Sequence, residues 1–127
     1  AGPSSALYQG DHRQDLRVMI TATFHLDGKR IVSFQVEGHS GLADEGEDVL
    51  CAAVTSAVRL TECAVNDVLG LEASVKVKSE KALISLKLPV GLGQTNESTC
   101  QTLLTALMLY LSQLHEEYPE NIIVMEV

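Results

Sequence analysis

The chain has 127 residues, 46% hydrophobic and 20% charged, and its 17 acidic side chains outnumber 9 basic ones to leave a net charge of −8. Such values fit one ordinary globular domain, long enough to bury a core without a structural metal or a disulfide framework. They argue against nucleic acid as the main partner, because phosphate binding wants a basic face, and favour a basic protein or peptide. No uninterrupted apolar run approaches the ~20 residues of a membrane-spanning helix, so no membrane association is expected.

Residues 1–18 mix Ser, Gln, Asp, His and Arg without an apolar stretch, which does not read as a secretory signal. They are expected to be a disordered tail or an appended remnant, leaving residues 19–127 as a single domain. From Met19 to Leu26 the residues alternate, with Ile20, Ala22, Phe24 and Leu26 on one face. Asp27-Gly28 then supplies a two-residue type I′ turn, and a return strand from Arg30 to Glu37 turns Val32, Phe34 and Val36 inward. The segment from Gly38 to Gly46 has no periodicity and reads as a surface loop. A helix follows over Val49 to Leu69, with Asp48 near the N-cap and Gly70 just past the end. Val75 and Val77, then Ile84, Leu86 and Leu88, mark a second hairpin around Ser79-Glu80-Lys81. After Pro89, Thr95 or Asn96 caps a second helix carrying Leu103, Leu107, Tyr110, Leu114 and Tyr118 at helical spacing. Residues 121–127 are β-branched and complete the sheet. The fold class is α+β: two β-hairpins, each followed by a long helix, plus a C-terminal strand, with the helices packed on a mainly antiparallel sheet.

The chemistry concentrates in Gly38-His39-Ser40-Gly41 and the acidic segment up to Cys51. With Asp48 as cap, Cys51 stands in the first helical turn, where unpaired N–H groups and the positive end of the dipole favour a thiolate. Glu37, Asp44, Glu45, Glu47 and Asp48 oppose this, since like charge raises a thiol pKa. An imidazolium is therefore needed, and His39 is the histidine at hand; it would take the thiol proton and return it to a leaving amine. Asp48 could orient His39. Two blander readings stand beside this one: Cys51 as inert packing, and Asp48 as a simple cap on a solvated acidic loop. A metal site of His39, Asp44 and Cys51 lacks a fourth ligand and the spacing of structural zinc, so no metal or cofactor is expected. Three cysteines in all, Cys51, Cys63 and Cys100, without a CxxC pair suggest reduced thiols in the cytoplasm. Cys63 reads as core and His115 as part of a charged helix end.

The stretch GHSGLADEGEDVLCAAVTSAV resembles the signature of the ribosomal-processing cysteine proteases, the Prp family. Gly38, His39, Gly41, Gly46, Asp48, Cys51 and Ala52 match it, while Ser40 and Thr55 differ slightly from the residues expected there. The resemblance implies a homodimeric endopeptidase of the bacterial cytoplasm that removes the N-terminal extension of a large-subunit ribosomal protein precursor. Carried over by position, Cys51 is the nucleophile, His39 the general base and Asp48 a supporting residue. Gly38, Ser40, Gly41 and Gly46 are expected to lie in a mobile loop that orders over bound peptide. The alternative is a non-enzymatic ribosome-assembly or interaction module that holds a basic protein through the acidic loop.

Overall fold

The structure, a computed structural model, describes residues 19–38 and 45–127, and for residues 45–48 the helix backbone alone. Strands β1 (Ile20–Asp27) and β2 (Arg30–Glu37) form the first hairpin. Helix α1 (Glu45–Glu62) runs on as a π-helical segment, Cys63–Val68, and leads to the hairpin of β3 (Ser74–Lys78) and β4 (Leu83–Lys87). Helix α2 (Gln94–Glu117) and strand β5 (Ile122–Glu126) follow. The strands make one sheet in the order β3-β4-β2-β1-β5. Three of its pairings are antiparallel, and β5 lies parallel to β1. The expected α+β class and antiparallel bias hold.

The first hairpin turns one residue later than expected. Asp27 pairs with Arg30, so Gly28-Lys29 forms the turn, and Gly28 alone takes a positive φ, +67°. A single positive φ at the first turn position suits a type II′ turn, whereas type I′ needs two. A register shift at His25/Leu26 leaves Val32 as the extra residue of β2, because Leu26 pairs with Ile31 and His25 with Ser33. This bulge swings Ile31 inward to 2% exposure and leaves Val32 half-buried, correcting the simple alternation. Phe24 and Phe34, directly opposed across the strands, stack with ring centroids 5.6 Å apart.

Both helices cover one face of the sheet. Leu50, Val54, Val58 and Val65 of the first helical stretch and Cys100, Leu104, Leu107, Leu111 and Leu114 of α2 share a core with Ile20, Ala22, Phe24, Phe34, Val36 and Leu86. The buried stripe of α2 therefore lies one step around from the expected one: Leu103 is half-buried and Tyr110 is 42% exposed. Helix α2 starts at Gln94 with Gly93 as its N-cap, not at Thr95 or Asn96. At the far end Tyr118 donates to the Leu114 carbonyl, and Pro119 follows as expected.

Two side-chain amides hold the layers together. Gln101 of α2 accepts from the Ile31 N–H and donates to the Ile31 carbonyl, each at 2.8 Å, and so satisfies the backbone beside the bulge. Its neighbour Glu97 pairs with Arg30. In the same way Asn66 bonds both the N–H and the carbonyl of Ala73, tying the π-helical segment to the entry of β3. The wider turn of that segment shows in Leu69 donating to Ala64, five residues back, and in Leu71 donating to Val65.

The stretch Val49–Val68, with mean hydropathy 1.3, has the length and composition to cross a bilayer, contrary to the reading by uninterrupted runs. Small apolar residues raise its average without forming a run. One face of it packs on the sheet, and Arg59, Glu62 and Asp67 interrupt the rest, as in the core helix of a two-layer domain.

Candidate active site

Two helices cannot cover five strands evenly, and the β3–β4 wing projects beyond α1. Val36 pairs with Ile84 and Ile84 with Val77, so these three side chains form one cross-strand row on the helix side. Val77 at the end of that row is 66% exposed, with no helix above it. This row, buried at Val36 and open at Val77, is the floor of a groove of about 520 Å³ whose opposite wall is α1. Cys51, Thr55, Arg59 and Glu62 line this wall at helical spacing. At 1.5 Å rise per residue, roughly 16 Å separate its two ends, room for four or five residues of extended peptide. Cys51 is half-buried at one end; Arg59, Glu62, Lys78 and Ser79 stand towards the other.

Gly38 also lines the groove, at the end of β2. Its φ is +96°, and a Cβ there would lie 2.3 Å from the Met19 carbonyl oxygen. Close approach of two backbones thus requires glycine at position 38 and fixes where the chain leaves the sheet. His39 follows it directly in sequence. His39, Ser40, Gly41 and Asp44 lie outside the described residues, as do residues 1–18, and Gly46 and Asp48 are described as backbone in α1. Of the expected site residues, the structure brings Cys51 and Gly38 to one groove.

The helix start corrects one argument. Because α1 begins at Glu45, Asp48 is not its N-cap and Cys51 is its seventh residue, beyond the four N–H groups that lack helical partners. The helix backbone runs through Glu45, Glu47 and Asp48 before it reaches Cys51. Helix-end stabilisation of a Cys51 thiolate is thereby withdrawn, and the demand on a neighbouring base grows.

The other cysteines differ from each other and from Cys51. Cys63 is exposed, not core, at the point where the helix widens into its π-helical segment. Cys100 is fully buried, and burial pushes its thiol above the usual range, with Glu97 adding to the rise and Arg30 opposing it. His115 is occupied structurally: its Nδ1 donates to the Ile122 carbonyl at 2.6 Å. No cluster of three or more metal-ligating side chains exists among the described residues. The groove residues missed in the sequence are Arg59, Glu62, Val77 and Lys78, which only the juxtaposition of α1 with the second hairpin reveals.

A two-layer α+β domain that sets a helix-borne cysteine on a peptide-sized groove defines the class. Residues 19–123 match the family model described as cysteine protease Prp. The chain belongs to this cysteine protease family. It is 28% identical over 105 residues, 82% of this chain and 94% of the relative, to the ribosomal processing cysteine protease Prp of Bacillus subtilis (strain 168). The fold is shared with the crystal structure of SMU.848 from Streptococcus mutans, at TM-score 0.75 and 24% identity over 86% of this chain and 94% of that one. It is shared too with the essential ribosomal processing protease Prp of S. aureus, solved with a substrate peptide, at TM-score 0.73 and 18% identity over 86% of this chain and all of the other.

Proposed function

We propose that this chain is a cysteine endopeptidase that removes the N-terminal extension of a bacterial large-subunit ribosomal protein during ribosome maturation. The observation that carries the reading is Cys51 on the wall of a groove long enough for an extended peptide. Membership of the cysteine protease family supports it, as do the relatives named for ribosomal processing, one of them solved with a covalently linked product peptide. In the proposed dyad, His39 takes the proton of the Cys51 thiol as Sγ attacks the scissile carbonyl. Collapse of the tetrahedral intermediate breaks the C–N bond, and the imidazolium gives the proton to the leaving amine. Water, deprotonated by the same imidazole, then hydrolyses the thioester and frees the thiol. Asp48 is proposed as a supporting residue, and the reaction requires no cofactor.

The test is selective alkylation by iodoacetamide across pH, read by mass spectrometry in the starting protein and in His39→Ala, followed by cleavage of a ribosomal precursor. Cys63 serves as the exposed reference and Cys100 as the buried one. A Cys51 that outpaces Cys63 below pH 8 only when His39 is present supports the dyad, and Cys51→Ser should then bind precursor without cutting it. A Cys51 that never outpaces Cys63, together with full processing by Cys51→Ser, would overturn it.

We propose further that the enzyme works in the cytoplasm as a homodimer. The face suited to self-association is the apolar channel between α1 and α2, about 490 Å³, where Ala53, Ala57, Leu60, Leu103 and Tyr110 are left without a covering layer. Light scattering of the starting protein and of Leu60→Glu tests this: a dimer that becomes a monomer supports it.

A further inference from the structure

The net charge of −8 averages over an uneven surface. Four of the chain's 9 basic residues, Lys76, Lys78, Lys81 and Lys87, lie on the β3–β4 hairpin, accompanied there by one acid, Glu80. All four lysines are exposed, and among the described residues none of them forms an ion pair. Lys76 and Lys87 belong to the sheet face turned away from the helices. Lys76 pairs with Ser85 and Ser74 with Lys87, so the two ammonium groups are diagonal neighbours, about 7–8 Å apart at the backbone. They border a shallow concavity of about 180 Å³, lined also by Ser33, Ser74, Ser85 and Gln35, without an acidic side chain.

A chain with almost twice as many acids as bases thus leaves adjacent lysines unneutralised, amid hydroxyl and amide groups. Such a surface complements a polyanion. An acidic protein would want an apolar anchor at the centre of its interface, yet the exposed apolar residues of this face, Ile123 and Met125, belong to β5 at the opposite edge of the sheet. Lysine, serine and glutamine are instead donors for phosphate oxygens. Of the two rings that line the concavity, Phe34 is buried and His25 half-buried, whereas both lysines are exposed, which makes the backbone the principal recognised feature.

We infer that the open sheet face, centred on Lys76 and Lys87 with Lys81 in the adjoining turn, docks the phosphodiester backbone of RNA without reading its sequence. The same hairpin contributes Val75, Val77 and Lys78 to the groove on its other side. One strand pair would then hold RNA on one face and peptide on the other. The inference stands on this charge distribution and survives or fails independently of peptide cleavage.

The experiment is fluorescence anisotropy of the full chain with a labelled 20-base-pair RNA hairpin, from 25 to 200 mM salt. Binding should weaken with salt along a log–log slope of about −2 to −4, for three or four phosphate contacts. Lys76→Gln/Lys87→Gln should lose roughly tenfold or more in affinity at low salt and flatten the slope by about 1 to 2. Arg59→Gln, which removes a charge from the opposite side of the sheet, should leave binding within about twofold. Because Lys76 and Lys87 lie outside the groove, the double variant should melt normally and cleave any peptide the starting protein cleaves. No RNA binding, binding indifferent to the lysine pair, or tighter lysine-dependent binding of a labelled poly-glutamate would each overturn the inference.

Discussion

The side-chain amide of Gln101 meets the backbone of Ile31 as a strand would, donating to its carbonyl and accepting from its N–H at 2.8 Å. A helix residue thereby completes the pairing that the β2 bulge interrupts. Gln101→Ala should cost about 2–4 kcal/mol in chemical denaturation, since two hydrogen bonds vanish and two half-buried backbone groups lose their partner. Gln101→Glu keeps only an acceptor and sets it beside Glu97, so it should recover little. Loss of the Arg30–Glu97 pair alone, in Glu97→Gln, should cost under about 1 kcal/mol because both side chains are about one-third exposed.

Gly38→Ala should be among the most damaging single-methyl changes in the chain. The new methyl would collide with the Met19 carbonyl at 2.3 Å while the backbone stays at a φ that alanine disfavours. A loss of about 2–4 kcal/mol is expected, with a lowered denaturation midpoint. Peptide cleavage measured well below that midpoint should fall too, because β1 and β2 can no longer meet at the groove.

Stability should fall on the alkaline side through Cys100. Burial raises its folded pKa, so the native state keeps a proton that the unfolded chain releases near pH 8.5. The unfolded state then binds fewer protons, and the sign of the linkage makes unfolding easier as pH rises. The contribution is complete below about pH 8.5 and is lost above it, at up to about 1.4 kcal/mol per pH unit until the folded pKa is reached. Denaturation curves from pH 7 to 10 should show Cys100→Ala less stable throughout but with a shallower alkaline decline.

Val77→Asp separates folding from peptide binding. Val77 is 66% exposed, so its replacement should change stability by less than about 1 kcal/mol. On the proposed reading it is floor for the substrate, and a carboxylate there should lower kcat/KM roughly tenfold, equivalent to about 1.4 kcal/mol. An unchanged kcat/KM would remove Val77 from the peptide path.

What could be read in the sequence followed from local rules. The alternation around Phe24 and Phe34, the glycine turn and the long apolar helices need only nearest neighbours to declare themselves, and they place the fold class. The bulge at Val32 did not, because it is stabilised by Gln101, 70 residues away from Ile31. The start of α1 was misplaced because Asp48 is as good a first-turn residue as it is a cap, and propensity alone does not choose. Cys51 stood out through its neighbours in sequence, whereas Arg59, Val77 and Lys78 acquire meaning only when the second hairpin is laid against α1. The steric need for glycine at position 38 was likewise invisible in the sequence, because it comes from the Met19 carbonyl on the neighbouring strand.

The parallel seam between β1 and β5 gives the chain a timetable. Ile20, which lines the groove beside Cys51, has its N–H held by the carbonyl of Asn121, and Val127 closes the seam on Phe24. During vectorial synthesis the first hairpin, Cys51 and the whole β3–β4 wing leave the translating machinery before β5 exists. Pairing across so long a sequence separation is the slow, late kind of contact. The nascent chain therefore carries its thiol on an unfinished floor, and the groove assumes its final form only when β5 has been made.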